Sequence, residues 1–209
     1  DDASLGAEGD FRYDAVSKTY YVLGSGADIW NAADAFHFVY KEVPANQDAY
    51  LRAQVKLNHI TSANGWAKVG LMVRDANDPA SAMGFSMIRS DGRDFAPQWR
   101  LGYNIGADWT DTLLVYGGTG EGQQSGLIEI DKVGKKVSYV YYDAATGARV
   151  EKHALETIVF DNPDGKYYIG LAVTSHDAGL IAMGTFENVA LSIGSPLEPP
   201  VAVSEWSLY

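Results

Sequence analysis

Several groups of residues in this chain have the types that bond-breaking chemistry requires, and their spacing limits what they can do. Ser175-His176-Asp177 contains the three side chains of a nucleophilic triad. Consecutive residues on a strand alternate faces, and no Gly-x-Ser-x-Gly elbow is present to expose a serine. Glu129 and Asp131 stand at i and i+2 of an alternating run and so share one face. Glycoside hydrolysis with retention needs two carboxyl groups about 5–5.5 Å apart, which makes this pair the first place to look for it. His37, His59, His153 and His176 have no i/i+2 or i/i+4 partner of the kind that binds transition metals. The Gly-rich stretch 117–122 lacks the Lys-Ser/Thr and the following helix that cradle phosphate, and reads as a loop.

Two other constellations fit binding better than catalysis. Sugar rings present C–H faces that stack on flat aromatics, while planar polar side chains bridge the hydroxyls. Trp99, Tyr103 and Trp109 are interleaved with Gln98 and Arg100, and Arg74 and His176 add further donors. These seven residues form the expected ligand site. Trp99 and Arg100 point to opposite faces of a strand, so one of them is structural. Trp30 and Trp66 are assigned to core or loop anchoring. Calcium takes six to eight hard oxygens, and short acidic loops supply candidates at Asp28 and Asp34, Asp75 and Asp78, and Asp108 and Asp111. The same residues also suit turns, because Asp and Asn bond their own backbone.

The elements that must position these groups are strands. Period-2 alternation recurs in short runs bounded by Gly, Asn, Asp or Pro. In 49–57, Leu51, Ala53, Val55 and Leu57 oppose Arg52, Gln54 and Lys56; in 67–74, Val69, Leu71 and Val73 oppose Lys68, Gly70, Met72 and Arg74. Runs at 83–89, 95–103, 127–132, 135–142 and 167–174 behave alike, and a run at 112–116 is expected. Turn chemistry separates them: Val133-Gly134-Lys135, Ala145-Thr146-Gly147 and Asn162-Pro163-Asp164-Gly165 place Gly where φ turns positive. About a dozen strands without a helical period predict an all-β, two-sheet antiparallel sandwich.

Four stretches carry a family resemblance: 24–41 (GSGADIWNAADAFHFVYK), 66–75 (WAKVGLMVRD), 127–142 (LIEIDKVGKKVSYVYY) and 169–189 (IGLAVTSHDAGLIAMGTFENV). Together they resemble the concanavalin-A-like jelly rolls, in particular the laminin-G-like branch of bacterial secreted proteins. The resemblance spans roughly residues 10–192 and implies two stacked antiparallel sheets, one curved, with loops and a concave face open to ligands. Lys135 departs from the asparagine usual in the hairpin, and residues 102–126 form an insertion where specificity could be added. Jelly-roll glycosidases of the laminarinase type carry a third carboxylate further along the Glu129–Asp131 strand. Here that position falls on Val133 or Gly134, so a required acid is missing. Lyases on related folds use a Tyr or His base with Arg and Gln/Asn on a uronate, and His37, His176, Tyr103, Tyr141, Arg74, Arg100 and Gln98 are of suitable type.

Composition bounds the rest. The 209 residues include 27 Asp+Glu against 16 Lys+Arg, a formal charge of −11, and no cysteine. Such a surface repels phosphate backbones and argues against a nucleic-acid partner. The absence of Cys excludes disulfides and thiolate metal sites. No apolar run reaches the ~18 residues of a membrane helix, so no membrane insertion is expected. Residues 1–193 read as one domain, 194–200 as a Pro-rich linker, and 201–209 as a terminal strand or the start of a following module in a multi-domain parent. The expected function is a non-catalytic, secreted or cell-surface module that binds a polysaccharide or other glycan with calcium support. The alternatives are an adhesin gripping a peptide or surface protein, and a polysaccharide lyase or glycoside hydrolase.

Overall fold

Alternating side chains give each strand one apolar face, and burying those faces requires a second layer. The computed structural model describes residues 9–59, 64–90, 95–109, 123–155 and 158–198. Its elements in chain order are β1 (Asp10–Asp14), β2 (Thr19–Gly26), β3 (Asp28–Trp30), β4 (Ala33–Ala35), β5 (His37–Pro44), β6 (Ala49–His59), β7 (Lys68–Arg74) and β8 (Met83–Arg89). They continue as β9 (Phe95–Arg100), β10 (Asp108–Trp109), β11 (Gln123–Val133), β12 (Lys136–Tyr142), β13 (Arg149–Leu155), β14 (Lys166–Thr174) and β15 (Asp177–Ile193). All described pairings are antiparallel.

Seven strands order as β1-β2-β15-β6-β11-β12-β13 and six as β10-β9-β8-β7-β14-β5. The core between the sheets takes the inward residues the pattern predicts: Leu51, Ala53, Val55 and Leu57 from β6, Val69, Leu71 and Val73 from β7, and Ile128 and Ile130 from β11. The fold is the expected all-β jelly-roll sandwich. Gly134, at φ 58°, closes the β11–β12 hairpin, a conformation that carries little penalty without a Cβ. The run predicted at 112–116 lies outside the described residues. Residues 177–193 form one long strand, β15, interrupted by register shifts. The segment predicted as linker follows β15 closely: Gly194 N–H donates to Asp48 O at 2.9 Å and Arg52 Nη1 to Glu198 O at 2.8 Å.

The other face of the six-stranded sheet is also covered, but only in its middle. Met72, Met83, Phe85, Met87, Ala96 and Ala172 form a second apolar layer there, and Ile29 of the β3–β4 hairpin packs into it. The hairpin is anchored where Thr174 Oγ1 donates to both Gly26 O (3.1 Å) and Ala35 O (3.3 Å). Gly26 has φ 126°, and a Cβ there would meet Ala35 O at 2.0 Å. The hairpin therefore divides this face into two ends, and each end holds charged residues.

Candidate functional site

Lys68 and Arg89 are cross-strand partners on β7 and β8, on the outward face of the six-stranded sheet. Lys68 is 3% exposed and Arg89 is 0% exposed. Two cations placed opposite each other destabilise a strand pair unless neighbours offset them. The hairpin supplies one such neighbour. Lys68 Nζ lies 2.6 Å from Asp28 Oδ1 and donates to Ile29 O at 3.0 Å. Burial pushes the Lys68 ammonium below its ordinary pKa, with Asp28 opposing that shift.

Asp28 gives its second oxygen to His176, whose Nε2 lies 3.1 Å away. His176 sits between β14 and β15 at φ 58°, a left-handed conformation that His adopts more readily than most residues. Its Nδ1 is buried and has no hydrogen-bond partner among the described residues. Asn64 ties this corner together: its Nδ2 donates to His176 O at 3.1 Å, and its Oδ1 accepts from Trp66 N–H at 3.0 Å.

Aromatic rings build the wall. Arg89 Cζ stands 4.6 Å from the centroid of Trp66 and 4.6 Å from that of Trp109, inside cation–π range of both. The two indoles meet edge to face at 6.2 Å and 84°. Trp109 reaches the site because β10 pairs with β9 in the register Trp109↔Gln98. Gln98 Nε2 donates to Ile29 O, while its Oε1 is buried without a partner among the described residues. These groups, with Trp30 and Met87, enclose a cavity of about 240 Å³. A pocket that small, near the lower limit for ligand sites, takes one ring or one terminal group at a time.

Of the seven expected ligand residues, Gln98, Trp109 and His176 meet here. Tyr103 is exposed in the β9–β10 connection and does not line the cavity. Trp99 faces the inter-sheet core, its ring 6.4 Å from that of Tyr139. Arg74 and Arg100 lie at the opposite end of the face. Arg74 Nη1 is 2.6 Å from Asp34 Oδ2, and Arg100 holds both Asp34 oxygens, at 2.5 and 2.8 Å. Both guanidinium groups are fully buried and bound to the hairpin, which leaves them structural work.

The expected calcium ligands are likewise scattered. Asp28 gives its oxygens to Lys68 and His176, and Asp34 gives its oxygens to Arg74 and Arg100, which leaves little for a metal. Asp75 Oδ1 accepts from Asn162 N–H at 3.0 Å, Asp78 Oδ1 from Ala80 N–H at 2.8 Å and Asp108 Oδ1 from Trp109 N–H at 2.8 Å. Asp111 lies outside the described residues. Among the described residues no group of three or more His, Cys, Asp or Glu side chains is placed to hold a metal ion.

The sequence reading did not select Lys68, Arg89, Trp30 or Trp66, and it gave Asp28 a different role. One signal was available: the outward residues of 67–74 are small or apolar in the middle and cationic at each end. Glu129 and Asp131 do share a face, but on the seven-stranded sheet, nearly buried under Arg149. Arg149 Nε is 2.9 Å from Glu129 Oε1, and Tyr142 Oη donates to Glu129 Oε2 at 2.8 Å. They are locked in a network rather than set across a cleft.

No protein-family model and no curated protein matches the chain in sequence. Solved structures do match in shape. A functionally unknown protein from Saccharomyces cerevisiae superposes with TM-score 0.60 at 17% identity, covering 93% of this chain and 96% of its own. A family 7 alginate lyase, A1-II', in complex with a substrate (GGMG) gives TM-score 0.54 at 9% identity, over 90% of this chain and 83% of its own. Alginate lyase AlyC3 in complex with dimannuronate gives 0.52 at 12% identity, over 90% and 79%. At these identities the likeness establishes the jelly-roll fold. Among the described residues no helix is long and apolar enough to cross a membrane.

Proposed function

We propose that the protein is a carbohydrate-binding module of the jelly-roll type, within the laminin-G-like branch its motifs resemble. In this reading the pocket beneath Trp66 and Trp109 receives the end or a single unit of an acidic glycan. The observation that carries it is the grouping of two buried cations, Lys68 and Arg89, with two edge-to-face indoles around a cavity of one-ring size. The indoles offer flat faces to a sugar ring, and Gln98 Oε1 and His176 Nδ1 are left to meet hydroxyls. The cations counter a carboxylate or sulfate in a chain that is otherwise strongly acidic. Two of the similar structures are described as complexes with a substrate and with dimannuronate, which supports a glycan in preference to a peptide. A glycan partner fits a secreted or cell-surface location. In this reading calcium support belongs to the loops at Asp75, Asp78 and Asp108.

Titration with acidic oligosaccharides by calorimetry, with and without chelator, tests this. Trp109→Ala should weaken binding by roughly 1–3 kcal/mol, as for an aromatic hot spot. Unchanged affinity would remove the pocket from the function, and loss of binding on chelation would bring calcium in.

One observation favours a second reading. Asp28 orients an imidazole inside the pocket, as a carboxylate does for a general base. If His176 removed the proton α to a uronate carboxylate, the cations would stabilise the carbanion, its electron pair would form the C4=C5 double bond as the C4–O bond breaks, and the proton held by His176 would pass to the departing oxygen. A rise in ultraviolet absorbance from the unsaturated product, lost in His176→Ala, would establish a lyase and displace the binding-only reading.

A further inference from the structure

At the opposite end of the same sheet face, a row of rings runs along the edge. Phe36, Phe38 and Tyr40 alternate outward along the chain into β5, and Tyr168 joins them from β14, which pairs with β5. Their centroids step by 5.7 Å (Phe36–Phe38), 5.3 Å (Phe38–Tyr40) and 5.1 Å (Tyr40–Tyr168). The first two pairs are tilted by 42° and 32°, so the row twists with the strand, while Tyr168 meets Tyr40 edge-on at 88° and is buried, supporting the row from behind. β5 is the edge strand of the described six-stranded sheet, and Tyr40 is 40% exposed. Beside the rings opens a cavity of about 300 Å³ whose polar lining includes His37, Asn77 and Asp78.

Charge at this end is balanced. Asp34 and Asp78 offset Arg74 and Arg100, and Lys166 Nζ pairs with Glu42 at 3.0 Å. An uncharged ligand therefore meets neither repulsion nor an uncompensated ion there.

We propose that the Phe36–Phe38–Tyr40 row is a second binding site, for an extended, neutral, diequatorially linked polysaccharide chain. The ring spacing is close to the rise of one sugar unit in such a chain, so successive pyranose faces meet successive rings, while Asn77 and Asp78 at the cavity stand toward the hydroxyl edges. The β3–β4 hairpin separates this row from the pocket, and its function does not depend on the pocket's.

The test is calorimetry with cellohexaose and mannohexaose as extended probes and maltohexaose as a coiled one. The extended hexamers should bind better than maltohexaose. Phe38→Ala combined with Tyr40→Ala should lower their affinity about tenfold or more, while Tyr40→Phe and Trp109→Ala leave it in place. Tyr40→Ala alone, at an exposed ring, gives the same reading if the double variant does not fold. The proposal is overturned if neither extended hexamer binds, if ring removal leaves affinity unchanged, or if Trp109→Ala abolishes it. Failure of the acidic-glycan reading, in contrast, would appear with acidic oligosaccharides and the pocket variants.

Discussion

The two ends of the outward face of the six-stranded sheet hold similar charged residues and arrange them differently. At one end Arg74 and Arg100 close on Asp34, and the remaining donors go to backbone carbonyls: Arg74 to Asp78 O, Arg100 to Asn31 O, Ile105 O and Ser81 O. At the other end Asp28 divides its oxygens between Lys68 and His176, and Arg89 lies between two indoles beside a cavity of about 240 Å³. Two buried guanidinium groups closed on one carboxylate and on carbonyls fasten the hairpin to the sheet. At the pocket end one carboxylate is shared between a lysine and a histidine, and aromatic faces stand beside the arginine. Residue type alone does not distinguish the two cases; geometry does.

The largest effect should come from breaking the closed end. Asp34→Ala would strand two buried guanidinium groups and should cost roughly 3–5 kcal/mol, the usual penalty for half of a buried ion pair. Asp28→Ala should cost clearly less, because Asp28 stands at the rim of a solvent-open pocket. Denaturant unfolding of both variants measures the difference, and equal losses would undo the contrast.

Lys68→Met sharpens the comparison from the other side. Removing one partner of a buried pair is costly where the other is left buried, but the Asp28 left behind is 23% exposed at the pocket rim and keeps His176 beside it. The variant should therefore shift the unfolding midpoint much less than Asp34→Ala while losing about tenfold or more in affinity for acidic glycans. A loss of stability with affinity intact would make Lys68 a fastening residue like Arg74.

The smallest effect belongs to a third cluster, on the seven-stranded sheet. Burial, with Glu129 adding to it, pushes Asp131 from 3.8 up to about 7, against the pull of Arg149. The folded state then binds this proton more tightly than the unfolded chain. The contribution is fully present below about pH 4 and is lost as pH rises toward 7. Asp131→Asn should flatten that slope, so its midpoint changes less than the parent's between about pH 5 and about pH 8 in thermal melts. An unaltered pH profile would show that Arg149 holds the carboxylate ionised throughout.

Much of the architecture could be read from the chain. Strand 83–89 and the alternation of 49–57 and 67–74 follow from side chains that repeat every two residues, a local property that needs no partner to be seen. The turn at Gly134 was legible for the same reason. The edge strand β1 was not, since Phe11 and Tyr13 alternate with charged residues over only two apolar positions, too few to tell a strand from a loop. For the site, Gln98, Trp109 and His176 were recognisable as polar and aromatic types near an insertion. Arg74 and Arg100 were chosen by the same reasoning and sit instead around Asp34.

What the order of residues dictates here is the two-layered strand sandwich and the acidic, cysteine-free surface, because alternation and charge are written into neighbouring positions. Folding alone decides that Asp28 meets Lys68 and His176 while Asp34 meets Arg74 and Arg100. Those partners lie 40 or more positions apart along the chain. The laying of one short hairpin across a sheet, which no local pattern encodes, determines which cations are covered and which face a ligand.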